Sequence, residues 1–270
     1  MQYYSKINTC FKRDMDKGSP TYNCILPFEE LTTPEFELLR KLDAKWEATE
    51  KVDGECTSIH LIPNVCGAHG TTDGGQEFDY DYVVEVHGKT DNANMRPDEV
   101  ELLREIGDIE KLIEAFTYER PAPEYGEGAT DLVKPDVECI IFGETYGKGM
   151  QKPGGRYCKD HLKFICFDIK VGNVWLKRDA VEDICKKLNI DVVPYLGEMT
   201  LDEAIAKVRW GFKSQVSEDP TLDAEGIVLR APLGILDRMG RRIITKIKTK
   251  DFRDLENKNP DWDANTCSTL

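Results

Sequence analysis

The chain has 270 residues, 40% of them hydrophobic and 32% charged, with a net charge of −14 and a pI of about 4.9. This is the composition of a soluble globular protein, long enough for one large domain or one domain with a small appendage, and its acidity argues against a protein that coats nucleic acid through overall positive charge. No apolar run approaches the roughly 20 residues of a membrane span, and "MQYYSKINTCFKRDMDKG" lacks the apolar core of a signal peptide, so the expected setting is the cytoplasm.

In chain order, "TTPEFELLRKLDAKW" reads as a first helix, with Thr33 as N-cap and Pro34 at the first helical position. "EATEKV" and "CTSIHLI" are extended runs joined at Asp53-Gly54, which predicts strand, turn, strand. The Gly/Asp-rich loop "NVCGAHGTTDGGQEFDYD" leads into the alternating strand "YVVEVHGK". "PDEVELLREIGDIEKLIEAF" places Val100, Leu103, Ile106, Ile109, Ile113 and Phe116 at helical spacing. After the loop "PAPEYGEGA", "VECIIFGETYG" and "LKFICFDIKV" read as buried strands. "RDAVEDICKKLNI" and "TLDEAIAKVRWGF" read as helices, the second opened by a capping box from Thr200 to Glu203. "EGIVLRAP" and "RRIITKIKTK" are the last strands, and "LENKNPDWDANTCSTL" is expected to fray. Strands and helices in separate blocks predict an α+β fold with mainly antiparallel sheets. No internal repeat, and no glycine-rich phosphate loop of the Walker or dinucleotide type, is present.

The nine cysteines include no C-x-x-C pair, and several lie in apolar runs, as expected of reduced, buried thiols rather than a zinc site. Charge is uneven. Residues 225–250 carry seven Lys/Arg against two acids, and residues 144–163 carry five against two. These segments are candidates for contact with a nucleic-acid backbone.

Five fragments place charged or aromatic residues in or beside apolar strands: "EKVDGE", "IIFGETYG", "FICFDI", "DAEGIVLR" and "KIKTKDF". A lysine attacks an activated phosphate only as the free amine, which is scarce at neutral pH when its pKa is near 10.4; nearby cations lower that pKa and carboxylates raise it. Strand alternation sends Glu50 and Val52 to the face opposite Lys51, while Asp53 belongs to the turn beside Gly54. Lys246, Lys248 and Lys250 alternate, so on one strand they share a face, either to hold a phosphate near Lys51 or as an edge strand guarded by lysines. Glu144 and Glu225 stand at strand positions beside Gly143 and Gly226. Carboxylates there suit Mg²⁺ or a ribose hydroxyl, and Phe142 or Phe167 offers a ring for a base.

In this order the fragments resemble one superfamily, the covalent nucleotidyltransferases, which comprise ATP-dependent DNA and RNA ligases and mRNA capping enzymes. "EKVDG" resembles its motif I, "FGETYG" motif III, "FICFD" motif IIIa, "EGIVLR" motif IV and "KIKTK" motif V, over residues from about 45 to 252. "FGETYGKGMQKPGGRY" and "VEVHGKTDNAN" are most similar to nick-sealing RNA ligases of the RNA ligase 2 type. The resemblance implies a nucleotidyltransferase domain over residues 1–255 with a short tail at 256–270, and the twenty residues after Lys250 are expected to leave no room for the C-terminal oligonucleotide-binding domain of DNA ligases and capping enzymes. It implies ATP as cofactor with AMP carried on Lys51, and Mg²⁺ or Mn²⁺ at Glu225. Glu144 would contact the ribose, Phe167 would stack on adenine, and Lys246 and Lys248 would contact the α-phosphate. Glu50 or the Thr49 backbone would read the adenine edge. The implied partner is RNA with 5′-phosphate and 3′-OH ends, joined in RNA repair by a monomer. Two positions depart from the pattern. Cys56 stands where relatives carry Arg or Asn, and Lys89 stands for a motif Ia arginine, keeping the charge that grips ATP or the 5′-phosphate end but losing the bidentate fork. The alternatives are a DNA ligase or guanylyltransferase on the same scaffold, or a non-catalytic nucleotide- or RNA-binding module.

Overall fold

The computed structural model describes residues 4–26, 31–64, 81–90, 93–150, 154–232 and 235–258. In chain order the elements are α1 (Pro34–Lys41), β1 (Trp46–Lys51), β2 (Glu55–Asn64), β3 (Asp81–Gly88), α2 (Pro97–Ile106), α3 (Ile109–Phe116), β4 (Tyr118–Pro121), β5 (Thr130–Val133), β6 (Cys139–Gly147), β7 (Leu162–Val171), β8 (Val174–Trp175), α4 (Arg178–Leu188), β9 (Asp191–Val192), β10 (Tyr195–Met199), α5 (Leu201–Trp210), β11 (Gly226–Arg230), β12 (Ile244–Lys248) and α6 (Thr249–Lys258). The chain divides into two compact units, one of residues 5–52 and 193–270 and one of residues 1–4 and 53–192. The fold is α+β, and all pairings within the two larger sheets are antiparallel except that of β9 with β7.

The first unit, which contains Lys51, is built on the four-stranded sheet β10-β1-β11-β12. Its apolar face carries Trp46, Ala48, Ile227, Leu229 and Ile247, packed against Phe36 and Leu39 of α1, Leu201, Ala204 and Val208 of α5, and Phe252 of α6. Each such large side chain, fully buried, stabilises the fold by about 1.5–3 kcal/mol. The capping box of α5 forms as the sequence predicts: Thr200 Oγ accepts from the Glu203 N–H at 3.2 Å, and Glu203 accepts from the Thr200 N–H at 2.7 Å.

The second unit, which contains Glu144, is built on the sheet β3-β2-β6-β7-β8. Ile59, Leu61, Ile141, Cys166 and Ile169 face a core closed by Leu103 of α2, Leu112 and Phe116 of α3, and Val181, Ile184 and Leu188 of α4. The opposite face of β2 carries His60, 1% exposed, whose Nδ1 lies 2.8 Å from Glu138 and whose Nε2 lies 2.9 Å from Ser58 Oγ. Among the described residues β4 and β5 pair with each other, as a separate two-stranded sheet.

Strand, turn and strand follow one another at Asp53-Gly54 as expected, and β1 and β2 lie in different sheets, β1 between β10 and β11 and β2 between β3 and β6. Four local expectations change. The single helical pattern over 97–116 breaks at Gly107. A Cβ there would lie 2.9 Å from the Leu103 carbonyl oxygen and 3.1 Å from Ile59, and Asp108 recaps the chain by accepting from the Lys111 N–H at 3.0 Å. The first helix ends at Lys41, and Trp46 already opens β1. Lys250 is not on a strand, because β12 ends at Lys248 and α6 begins at Thr249. Helix α6 also extends into the segment expected to fray, as far as Lys258; residues 259–270 lie outside the described residues.

Candidate active site around Lys51

Directly opposed residues of an antiparallel pair point to the same face. The register of the four-stranded sheet therefore builds rows. Lys51 stands opposite Gly226, which stands opposite Lys248. The next row is Thr49, Val228 and Lys246, and the third is Glu47, Arg230 and Ile244. Residues between them, Glu50 and Ala48 on β1 and Ile247 and Thr245 on β12, turn to the buried face. One face thus gathers Lys51, Lys246 and Lys248 from segments nearly two hundred residues apart.

Gly226 leaves the centre of the first row open. A Cβ there would lie 2.0 Å from the Ile247 carbonyl oxygen and 2.9 Å from Lys248 Cα, so the tight β11–β12 approach demands glycine. The preceding Glu225 reaches both lysines. One of its oxygens is in ion-pair contact with Lys51 Nζ, and the other lies 2.5 Å from Lys248 Nζ. Lys51 Nζ also donates to the Val52 carbonyl at 3.1 Å. The three side chains are 16%, 14% and 30% exposed, enough for a solute to reach them and little enough to strengthen their charges. The Glu225 backbone is held as well: its carbonyl accepts from the Thr249 N–H at 2.9 Å.

Thr49 is buried on the same face, and its Oγ1 accepts from Arg230 Nη1 at 3.3 Å; Arg230 also lies 3.6 Å from Glu47. Arg230 was not among the expected site residues, although strand alternation from Gly226 through "GIVLR" puts it on this face. Glu50 has its carboxylate on the other side of β1, where Ser214 Oγ donates to it at 2.5 Å and the Gln215 N–H at 2.8 Å. Burial pushes its carboxyl pKa upward, against the two hydrogen bonds.

The other expected residues belong to the second unit. Glu144 on β6 is half-buried and accepts from the Gly54 N–H at 3.0 Å. A Cβ at Gly54 would lie 2.2 Å from the Thr145 carbonyl oxygen, so the Asp53-Gly54 joint lies directly on β6. Cys56 is the cross-strand partner of Glu144. Phe167 falls where the β6–β7 register shifts: Phe142 pairs with Asp168 and Gly143 with Cys166, leaving Phe167 as the extra residue of a bulge. Its half-buried ring meets Tyr4 edge-on, with centroids 4.9 Å apart. Phe142 is instead buried, against Tyr4 and Trp175. Lys89 is exposed just beyond β3. In the two basic segments, residues 151–153 and 233–234 lie outside the described residues.

Among the described residues, no group of three or more His, Cys, Asp or Glu side chains could hold a metal by itself. Glu225 offers one carboxylate on the face that carries Lys51 and Lys248. That fits Mg²⁺ or Mn²⁺ bound jointly with phosphate oxygens and water, the usual arrangement for such ions. The seven described cysteines form no disulfide; burial pushes Cys10 and Cys139 up to about 12, which leaves these two inert thiols. Cys66 and Cys267 lie outside the described residues.

The family model for RNA ligase matches residues 44–248. No curated protein matches the chain. Among solved structures, the chain is similar to Naegleria gruberi RNA ligase. A mutant with ATP and Mn aligns at a TM-score of 0.50 and 16% identity, over 81% of this chain and 53% of that one. The same ligase with PPi aligns at 0.50 and 16%, over 97% and 65%. A further mutant with AMP and Mn aligns at 0.50 and 15%, over 94% and 64%. The chain thus spans between about half and two thirds of the length of these ligases, and at such identities the likeness establishes the shared fold.

Proposed function

The chain belongs to the RNA ligase family, and on that premise we propose that it is an ATP-dependent RNA ligase that works through a lysyl-AMP intermediate. The observation that carries this reading is the row Lys51–Gly226–Lys248 with the Glu225 carboxylate set between the two lysines.

In the first step the neutral Lys51 amine attacks the α-phosphorus of ATP. A P–N bond forms, the bond to the bridging oxygen of the β-phosphate breaks, and pyrophosphate leaves. In the second step an oxygen of an RNA 5′-phosphate attacks the same phosphorus and the lysine departs. In the third, an RNA 3′-OH attacks the 5′-phosphorus and AMP leaves with the bonding pair. Lys246 and Lys248 stand where they stabilise negative charge on the transferring phosphate. A bound Mg²⁺ or Mn²⁺ would act there as a Lewis acid toward phosphate oxygens, with Glu225 as its protein ligand. Glu225 also governs the nucleophile, because a carboxylate against an ammonium holds the proton on it; Lys51 becomes reactive as that contact is given up. Phe167 would stack on the base and Glu144 would bond the ribose. Substrate ends of 5′-phosphate and 3′-OH, a role in RNA repair and a cytoplasmic setting complete the proposal.

The test is incubation with α-labelled ATP and Mg²⁺. We expect a label on the protein that survives SDS and is absent from Lys51→Ala. A fully labelled Lys51→Ala protein would sink the assignment. Transfer from GTP, or sealing of DNA nicks in preference to RNA nicks, would move the chain to a different substrate on the same chemistry.

A further inference from the structure

We propose that Glu50 and Ser214 form a positioning pair that fixes Glu225 against Lys51, so that the residue preceding the nucleophile acts through the 212–224 loop rather than on the nucleotide. The inference deepens the reading of the Lys51 site and rests on it for its catalytic consequence.

The geometry is a closed circuit. Glu50 is 1% exposed and lies on the face of β1 opposite Lys51, where both carboxylate oxygens are taken: Ser214 Oγ donates at 2.5 Å and the Gln215 N–H at 2.8 Å. The same Ser214 Oγ accepts from the Val216 and Ser217 N–H groups at 3.1 and 3.2 Å, so one hydroxyl closes the turn and ties it to β1. From that turn the loop returns on itself. The Ser214 N–H donates to the Leu222 carbonyl at 2.9 Å, and the Ala224 N–H donates to the Phe212 carbonyl at 2.9 Å. Lys213 and Asp223 add a 2.8 Å ion pair across the same two segments. Ala224 is followed directly by Glu225, whose carboxylate meets Lys51. The path therefore leaves β1 at Glu50 and comes back to β1 at Lys51, with hydrogen bonds or covalent bonds at every step.

A buried carboxylate is costly unless hydrogen-bonded, and burial raises the Glu50 carboxyl pKa while its two donors oppose that shift. Where only an apolar filler was needed beside Trp46 and Ala48, a carboxylate would be a poor choice. It is suited to gripping a hydroxyl and an amide at once. Removing either partner leaves the other buried and unmatched, and frees the loop that aims Glu225.

The test reads Lys51 directly. Competitive acetylation of the full chain across a pH series, followed by mass spectrometry of the Lys51 peptide, gives the midpoint at which this amine loses its proton, whether or not the protein is active. Ser214→Ala and Glu50→Gln should lower that midpoint by at least about 0.5 pH unit, because a neighbouring carboxylate favours the charged amine. Ser214→Thr, which keeps the hydroxyl, should not move it. In a Glu225→Gln background, Ser214→Ala should cause no further shift. An unmoved midpoint in Ser214→Ala, or an equal shift with and without the Glu225 carboxylate, overturns the proposal. Should Ser214→Ala lose native circular dichroism, Ser214→Cys takes its place with the same criterion, its thiol being a weak donor. Lysyl-AMP formation at saturating ATP should fall about tenfold in Ser214→Ala with little change in ATP affinity, because the loss from a misplaced Glu225 carboxylate outweighs the gain in free amine. A wild-type protein that forms no lysyl-AMP would defeat the ligase reading and leave the Lys51 midpoint to judge the positioning pair.

Discussion

Lys51 and Gly226 are direct cross-strand partners, and the side chain that Gly226 lacks is what keeps β11 against β12 and the lysine within reach of Glu225. Gly226→Ala places a methyl 2.0 Å from a backbone oxygen that no rotamer change can move. Relief requires the strand pair to part, at a cost on the order of 1–3 kcal/mol. We expect Tm to fall by several degrees, at roughly 2–4 °C per kcal/mol, and covalent labelling to fall with it. A variant with wild-type Tm and labelling would contradict this account of the row.

The lysines of "KIKTK" should separate by position. Lys246 and Lys248 share the face of Lys51, whereas Lys250 lies in the first turn of α6. Lys246→Ala and Lys248→Ala should each lower labelling at least about tenfold, since one lost charge-stabilising group costs roughly 2.7–4 kcal/mol in measured enzymes. Lys250→Ala should stay within about twofold. Equal effects at all three positions would point to general surface charge instead.

Two neighbouring phenylalanines should fail in different ways. Phe167 sits on a bulge with part of its ring exposed, and Phe142 is buried among Tyr4 and Trp175. Phe167→Ala should weaken ATP binding by about tenfold, since stacking on a base contributes on the order of 1–3 kcal/mol, with a small change in Tm. Phe142→Ala should cost about 3–5 kcal/mol of stability. Isothermal titration and thermal melts read the two quantities, and a reversed pattern would exchange their roles.

His60 makes the fold sensitive to acid. Its burial holds the imidazole pKa below the usual value of 6.5, against the pull of Glu138. The unfolded chain therefore binds this proton at a higher pH than the folded one. The stability from a neutral His60 is present above about pH 6.5 and is lost as pH falls from there toward the depressed folded value. Thermal melts from pH 7.5 to 5 should show a steeper decline in the wild type than in His60→Gln. Parallel curves would remove His60 from the explanation.

What could be read from the sequence was local chemistry. The capping box at Thr200 needs only four residues, and "CIIFGETYG" and "LKFICFDIKV" declare themselves as strands by composition. The joint at Asp53-Gly54 could not be read in the same way: turn chemistry marks where the chain bends, while the partners of β1 and β2 are chosen by distant strands, β11 for one and β6 for the other. The break at Gly107 was hidden because α2 and α3 bury apolar stripes in the same core, so the helical period continues across it. The end of β12 was hidden too, since alternation in "KIKTK" runs past Thr249, whose hydroxyl donates to the Ala224 carbonyl and starts the helix. The Glu50–Ser214 contact has no pattern at all in the sequence; it follows from which face of β1 is buried.

That division of β1 also bears on how the protein can go wrong. Side chains alternate along the strand, so sliding β1 by one residue against β11 would present Glu50 to the reaction face and send Lys51 into the core. Such a molecule would keep its sheet and lose its nucleophile. What guards the identity of the reactive residue is therefore the pairing of backbones during folding. The tie from Glu50 to Ser214, with Trp46 and Ala48 in the core, makes the correct alignment the one that leaves no charge stranded.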